Sequence, residues 1–147
     1  MTVLRPANPL DAGRVGAILS AWIDETPWMP RVHTRAEDIA FADMMVDRGW
    51  VTVSETAEDV LGFIARDGDD IHALYIDPEA RGQGIGSVLL ASAMEHEDHL
   101  TLWTFQANTR AQAFYERHGF APVEHTDGSG NDEGLPDIRY HWQRTPS

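Results

Sequence analysis

The chain has 147 residues, a length that suits one compact domain. Its 24 acidic and 11 basic side chains give a formal net charge of −13, which disfavours nucleic acid and anionic membrane surfaces as partners. The absence of cysteine excludes disulfides, thiolate metal sites and a cysteine nucleophile. Because the sequence contains neither a signal peptide nor a run of about 18 apolar residues, we predict a soluble, cytoplasmic protein with a single domain over residues 1–147.

The first third of the chain predicts one strand and two helices. Residues 2–5 have the composition of a short strand, and Asn8-Pro9 is typical of a helix start. Apolar residues then recur at helical spacing until a proline-containing loop over residues 24–34. Thr34 is a suitable N-cap for a second helix over residues 35–47.

From Trp50 onward the sequence changes to short β-rich runs. Three of them follow one another with tight turns, which predicts an antiparallel meander. A helix, a strand and a helix come next, and this order requires parallel pairing at the centre of the sheet. A final antiparallel pair encloses an acidic loop over residues 127–137. The predicted ranges are 51–55, 60–66 and 71–76 for the meander, 85–95, 100–105 and 109–118 for the central unit, and 120–126 and 138–143 for the last pair.

These elements predict an α/β fold with one mixed sheet. We expect about seven strands, four helices distributed over both faces, and a central parallel pair. Residues 138–143 are predicted to form an exposed edge strand, which would permit a homodimer.

The most informative motif is Arg81-Gly82-Gln83-Gly84-Ile85-Gly86, which lies between a predicted strand and a predicted helix. Its three glycines allow close approach to the backbone, and amides at a helix start bind phosphate oxygens. A Walker P-loop would need a lysine, which the chain lacks. A dinucleotide-binding motif would need glycine where Ser87 stands.

This turn and two later segments resemble the GCN5-related N-acetyltransferase (GNAT) family. The segments are LYIDPEARGQGIGSVLL at 74–90, LWTFQAN at 102–108 and NTRAQAFYERHGF at 108–120, and they follow one another in the family's order. The resemblance covers nearly the whole chain. It implies the family's fold and transfer of an acetyl group from acetyl-CoA to a primary amine, by direct attack within a ternary complex.

The resemblance also implies roles for individual residues. The turn would hold the coenzyme pyrophosphate, and the preceding strand would pair with the pantetheine arm and polarise the acetyl carbonyl. Tyr115 would protonate the departing thiolate, although its helical spacing also fits a core aromatic. Asn108 would contact the coenzyme, although it also fits a plain helix cap. The implied coenzyme-binding set is Leu74, Tyr75, Ile76, Arg81, Gly82, Gln83, Gly84, Ile85, Gly86, Ser87 and Asn108.

The predicted strand over residues 100–105 has no carboxylate or histidine, whereas some relatives place a glutamate base there. We favour His33 as the base, because the first inter-helix loop borders the acceptor site in this family and an imidazole with a pKa of about 6.5 suits proton removal near neutrality. A structural hydrogen-bonding role for His33 and a solvent relay are the alternatives. Other candidates are Asp24, Glu25, Glu124 and His125.

Trp28 and Met29, together with Trp103, are predicted to line the acceptor pocket, although Trp28 could also cap the core. The negative charge favours a cationic acceptor, either a small molecule such as a polyamine or an aminoglycoside-like amine, or a peptide amine. The run His96-Glu97-Asp98-His99 fits a solvated helix end, so we predict no metal site. The alternative function is a non-catalytic module that senses acyl-CoA or binds a partner.

Overall fold

The computed structural model describes residues 2–145, which form seven strands and four α-helices. The strands are β1 (Val3–Pro6), β2 (Val51–Glu55), β3 (Val60–Asp67), β4 (Asp70–Ile76), β5 (His99–Phe105), β6 (Ala121–Thr126) and β7 (Asp137–Gln143). The helices are α1 (Ala12–Glu25), α2 (Arg35–Asp47), α3 (Ile85–His96) and α4 (Thr109–Arg117), with short 3-10 turns at Pro9–Asp11 and Pro78–Ala80.

Capping side chains define where the first two helices begin. Thr34 and Glu37 form a capping box at the start of α2, and each side chain bonds the other residue's backbone amide. Asn8 caps the short turn at Pro9–Asp11, so α1 begins at Ala12, three residues later than predicted. The predicted range of the second helix, 35–47, is confirmed.

The sheet has the order β1-β2-β3-β4-β5-β7-β6, and every neighbouring pair is antiparallel except β4 and β5. This confirms the predicted mixed sheet with a central parallel pair. The prediction of an edge strand at 138–143 is wrong, because β7 lies between β5 and β6. The reason is burial: β7 contributes the buried Ile138 and Tyr140, whereas five of the six residues of β6 are exposed. The strand with the larger apolar side chains, Ile138 and Tyr140 among them, takes the inner position, where they are buried.

Two hydrophobic clusters lie on opposite faces of the sheet. On one face α1 and α2 bury Val15, Met45 and Phe63. Gly16 brings these two helices close together, since a Cβ at this position would lie 2.8 Å from the Ile39 Cα. On the other face α3 and α4 cover a cluster that includes Leu89. Each fully buried side chain of this kind contributes about 1.5–3 kcal/mol to stability.

The longest helix, α1, has 14 residues, fewer than the roughly 20 that a membrane span requires. Among residues 2–145, accordingly, no helix could cross a membrane. The assignment of residues 1–147 to one domain stays a prediction, and residues 1, 146 and 147 lie outside the described part of the chain.

Candidate functional site

A cleft opens in the sheet where β4 and β5 separate. The two strands pair only at Asp70–Thr101 and at Ile71–Leu102. Next to this point β4 contains a bulge. Ala65 of β3 pairs with Ala73, and the next residue, Arg66, pairs with Ile71, so His72 is an extra residue without a partner on β3. A bulge bends the strand that contains it, and beyond the last β4–β5 pair residues of both strands line the cleft.

Four elements surround this cleft and bring together several residues that the sequence predicted. Tyr115 of α4 and Asn108 at its N-cap reach the cleft together with residues of both strands, including Leu74, Tyr75 and Trp103. Trp22 of α1 also lies here, although it was not among the predicted site residues. The lining residues are Trp22, Ile71, His72, Ala73, Leu74, Tyr75, Leu102, Trp103, Thr104, Phe105, Asn108, Ala111 and Tyr115.

Main-chain groups of β4 face the cleft at alternate positions. The Asp77 amide donates to the Leu61 carbonyl at 2.8 Å, so it points towards β3. Because backbone groups alternate along a strand in a regular antiparallel register, the amides of Leu74 and Ile76 point the other way, towards β5. Pairing with β5 has already ended at Ile71. These two amides are therefore placed to donate to a ligand in the cleft.

Tyr115 is 9 % exposed and packs against Phe114 and Phe120, with ring centroids at 5.2 and 5.5 Å. Burial raises its pKa well above the ordinary value of a phenol. Burial also raises the pKa of Tyr75 to about 12, with a smaller contribution from the charge of Glu133. Both hydroxyls therefore carry their proton near neutral pH.

Asn108 begins α4, and its side-chain oxygen accepts a hydrogen bond from the Ala111 amide at 3.0 Å. The helix-cap alternative for this residue is therefore correct, and Asn108 also lines the cleft. By fixing the start of α4, Asn108 sets where the helix presents Tyr115.

The glycine-rich turn follows β4 and leads into α3. Gly82 and Gly84 have φ values of +80° and +79°, and Gly84 is the N-cap of α3. Glycine adopts this left-handed conformation without strain, and the first amides of α3 have no partners within the helix. Ile85 turns its side chain into the core, so only its backbone can serve a ligand. The Ser87 hydroxyl lies 3.1 Å from Nε2 of His118.

Arg81 forms an ion pair with Glu25 at the end of α1. This contact connects the glycine-rich turn to the loop that follows α1. A phosphate at the turn would compete with Glu25 for the guanidinium.

Aromatic side chains connect the loop after α1 to the cleft. The ring centroid of Trp28 lies 5.9 Å from that of Trp22 and 5.8 Å from that of Phe105. Trp28 therefore packs behind two lining residues. Met29 is half-buried in the same loop and does not line the cleft.

The structure does not bring His33 to the lining of the cleft. The ring lies 3.4 Å from the Asp132 carboxylate and 3.6 Å from that of Glu37, and it is largely exposed. Asp132 is the main cause that raises the pKa of His33 above its ordinary value.

The other predicted candidates for the base are also occupied or distant. Asp24 pairs with two arginines, Glu25 pairs with Arg81, and Glu124 and His125 lie on the exposed strand β6. None of them lines the cleft. Within residues 2–145 no group of three or more acidic or histidine side chains could hold a metal ion.

Glu133 is a carboxylate whose charge acts on a lining residue of the cleft, and it was not among the predicted site residues. It lies in the loop between β6 and β7 with a half-buried side chain, although its neighbours Asp132 and Gly134 are exposed. Its charge raises the pKa of Tyr75, a lining residue of the cleft. The only signal in the sequence is the acidic composition of this loop, and that composition does not say which carboxylate is partly buried.

Residues 36–122 match the model of the acetyltransferase (GNAT) domain. The chain is 42 % identical over 71 residues to the peptidyl-lysine N-acetyltransferase YjaB of Salmonella typhimurium, covering 48 % of each chain. It is 36 % identical over 88 residues to YjaB of Escherichia coli, covering 60 % of this chain and 59 % of that protein. The chain thus spans about half the length of these curated relatives.

Two solved structures show the same fold. The solution structure of apo YjaB from Escherichia coli has a TM-score of 0.81 at 22 % identity and covers 99 % of both chains. The structure of yncA from Salmonella typhimurium with its cofactor acetyl-CoA has a TM-score of 0.75 at 19 % identity and covers 100 % of this chain and 96 % of that one.

Proposed function

The chain belongs to the GNAT family of acetyltransferases, and from that premise we propose that it transfers the acetyl group of acetyl-CoA to a primary amine. The observation that carries this proposal is the position of Tyr115, a buried and protonated phenol in the same cleft that the amides of Leu74 and Ile76 face. A proton donor and backbone donors in one cleft are what cleavage of a thioester requires.

The cleft and the turn suit the two ends of acetyl-CoA. The outward amides of β4 can pair with the amide groups of the pantetheine arm. The turn from Arg81 to Ser87 offers the free amides of a helix N-terminus to the pyrophosphate. In this arrangement Arg81 would exchange its contact with Glu25 for a phosphate oxygen.

In the transfer, the amine nitrogen attacks the carbonyl carbon of the thioester, so a C–N bond forms and the C–S bond then breaks. The amide of Leu74 or Ile76 would stabilise the negative charge on the carbonyl oxygen, a contribution of about 3–4 kcal/mol for one such donor. Tyr115 would donate its proton to the departing sulfur. Because the chain has no cysteine, we propose direct attack without a cysteine acyl-enzyme.

The amine must lose a proton, and two residues are candidates for accepting it. His33 is the proposal from the sequence. Neither residue lines the cleft, but Glu133 is favoured because its charge acts on the lining residue Tyr75, whereas His33 is engaged by Asp132. The proton would pass to the Glu133 carboxylate directly or through one water molecule.

The acceptor we propose is a primary amine on a small molecule or a peptide. Two relatives are named peptidyl-lysine N-acetyltransferases, and the net charge of −13 attracts cations. Trp28, Met29 and Trp103 are the proposed acceptor residues, and Trp22 and Phe105 join them because both pack against Trp28. A cytoplasmic location agrees with the lack of cysteine. A homodimer stays a proposal, for which the free edges of the sheet are β1 and β6.

Two measurements test this function. Isothermal titration of the folded protein with acetyl-CoA should give a dissociation constant in the micromolar range, and no binding would refute the proposal. Release of free CoA is then followed with a panel of amines that includes a lysine peptide and spermidine. Binding of acetyl-CoA without transfer to any amine would support the alternative, a non-catalytic acyl-CoA-binding module.

A further inference from the structure

Arg139 of β7 lies directly opposite Trp103 of β5 and stacks on its indole. The guanidinium carbon is 5.7 Å from the ring centroid, within the range of a cation–π interaction. Trp103 is 43 % exposed and lines the cleft. The stacking therefore holds a positive charge beside the cleft.

The same face of the sheet carries the aromatic wall of the proposed acceptor site. Trp103 and Phe105 are two residues apart on β5, so their side chains share a face and lie about 7 Å from each other along the strand. Phe105 contacts Trp28 in the loop after α1. Arg139 shares this face because it pairs with Trp103.

Arg139 combines two properties: it forms no ion pair with a carboxylate within residues 2–145, and it stacks on a residue that lines the cleft. Seven of the 11 arginines form ion pairs with carboxylates within residues 2–145, and of the other four only Arg139 stacks on a lining residue of the cleft. Glu124 is its cross-strand neighbour on β6, but the two form no ion pair within 4.0 Å. The Asp137 carboxylate accepts hydrogen bonds from Thr126 and Asn131. The donors of Arg139 are thus available to a ligand.

We propose that Arg139 and Trp103 form a subsite for a carboxylate of the acceptor, so that preferred acceptors carry a carboxylate close to the amine that is acetylated. The inference rests on the proposed function and narrows its substrate class. A guanidinium binds a carboxylate through two parallel N–H donors, and stacking on Trp103 fixes the plane in which those donors point. In a peptide substrate the carboxylate would belong to an acidic residue next to the lysine.

The experiment compares two peptides of equal length, each with a single lysine, flanked on both sides by glutamate or by glutamine. Binding to the CoA-loaded protein is measured by calorimetry, and kcat/KM is measured with acetyl-CoA. The wild type should prefer the glutamate peptide by about ten- to hundred-fold, the range of one charge-assisted hydrogen-bonded contact. Arg139→Gln should remove this preference mainly through the dissociation constant and KM, and Arg139→Lys should keep part of it.

Arg48→Gln is the matched control. Arg48 also stacks on a tryptophan, Trp50, at 5.1 Å and lacks an ion pair among residues 2–145, but Trp50 does not line the cleft. This variant should keep the full preference. Equal or undetectable binding of the two peptides by the wild type, or an unchanged preference in a folded Arg139→Gln variant, would overturn the subsite. Discrimination in binding without any acetyl transfer would support the subsite and instead refute the proposed function.

Discussion

At the scale of single residues, Tyr115 has a role that can be separated from its packing. Phenylalanine keeps the ring that packs against Phe114 and Phe120 and removes only the hydroxyl. We expect Tyr115→Phe to lower kcat by about 10²- to 10⁴-fold, the usual contribution of a general acid, with nearly unchanged affinity for acetyl-CoA. Steady-state kinetics and calorimetry measure the two quantities.

Tyr140→Phe is the control for this prediction. Tyr140 is also buried, and its hydroxyl donates to Glu116 at 2.8 Å, outside the lining of the cleft. The Tyr140→Phe variant should lose some stability and keep the kcat of the wild type. If Tyr115→Phe reduces kcat and coenzyme affinity equally, Tyr115 is a binding or core residue.

The choice between Glu133 and His33 as the base is a question of pH dependence. Because Asp132 raises the pKa of His33, a rate that depended on neutral His33 would rise with pH through a value above about 6.5. We expect Glu133→Gln to lower kcat/KM by about 10²-fold or more at every pH, and we expect the pH profile of His33→Ala to keep the shape of the wild-type profile.

Asp132→Asn is the matched control, since Asp132 is the exposed neighbour of Glu133 in the same loop. The Asp132→Asn variant should lower the pKa of His33, which NMR titration of the ring measures. Its kcat/KM should still depend on the Glu133 carboxylate. Loss of the alkaline rise in His33→Ala, with Glu133→Gln fully active, would assign the base to His33.

At the scale of elements, Gly84 at the start of α3 has a left-handed backbone conformation, which only glycine adopts without strain. A Cβ at this position meets no heavy atom within 4 Å, so the cost of Gly84→Ala comes from the left-handed conformation alone, about 1–2 kcal/mol. We expect this variant to be less stable and to bind acetyl-CoA more weakly, because relief of the strain turns the first amides of α3 away.

Gly13→Ala provides the comparison for that prediction. Gly13 lies inside α1 with an ordinary backbone conformation, and a Cβ added there would have nothing within 4 Å, so alanine should stabilise the helix by about 0.5–1 kcal/mol. Chemical denaturation gives both changes in stability, and calorimetry gives both affinities. Unchanged coenzyme affinity in a destabilised Gly84→Ala variant would show that the turn does not bind the coenzyme phosphates.

The elements themselves were predictable because their signals are local. The capping box at Thr34 and the glycine after α2 define the second helix within a few residues of sequence. The order of β6 and β7 was not predictable from such signals, because it depends on which strand buries its side chains against α3 and α4. The glycine-rich turn and Tyr115 could be located by motif, since neighbouring residues fix their geometry.

The acceptor side of the site was less predictable than the coenzyme side. The contact between His33 and Asp132 joins loops that are about one hundred residues apart in the chain. The partial burial of Glu133 and the stacking of Arg139 on Trp103 depend equally on tertiary pairing. No local pattern encodes such contacts. The composition of residues 127–137 therefore indicated an acidic loop but not which of its carboxylates acts on the cleft.

At the scale of the whole molecule, the net charge of −13 affects how fast a charged acceptor associates with the protein, and it does not determine which acceptor is used. We expect kcat/KM for a lysine peptide of net positive charge to fall as salt is raised from about 10 mM to 150 mM, because the screening length shrinks from about 30 to 8 Å. A lysine peptide of the same length with net negative charge should show the opposite slope. Equal slopes for both would mean that the long-range field does not influence capture.

The separation of β4 from β5 has a consequence for how the backbone exchanges hydrogen with solvent. Along one strand, the amides of Ala73 and Tyr75 are bonded to β3 and should exchange slowly, whereas those of Leu74 and Ile76 should exchange quickly in the free protein. Acetyl-CoA should slow the second pair and leave the first unchanged, which site-resolved deuterium exchange measures. The coenzyme would then act as a surrogate strand that joins the two halves of the sheet.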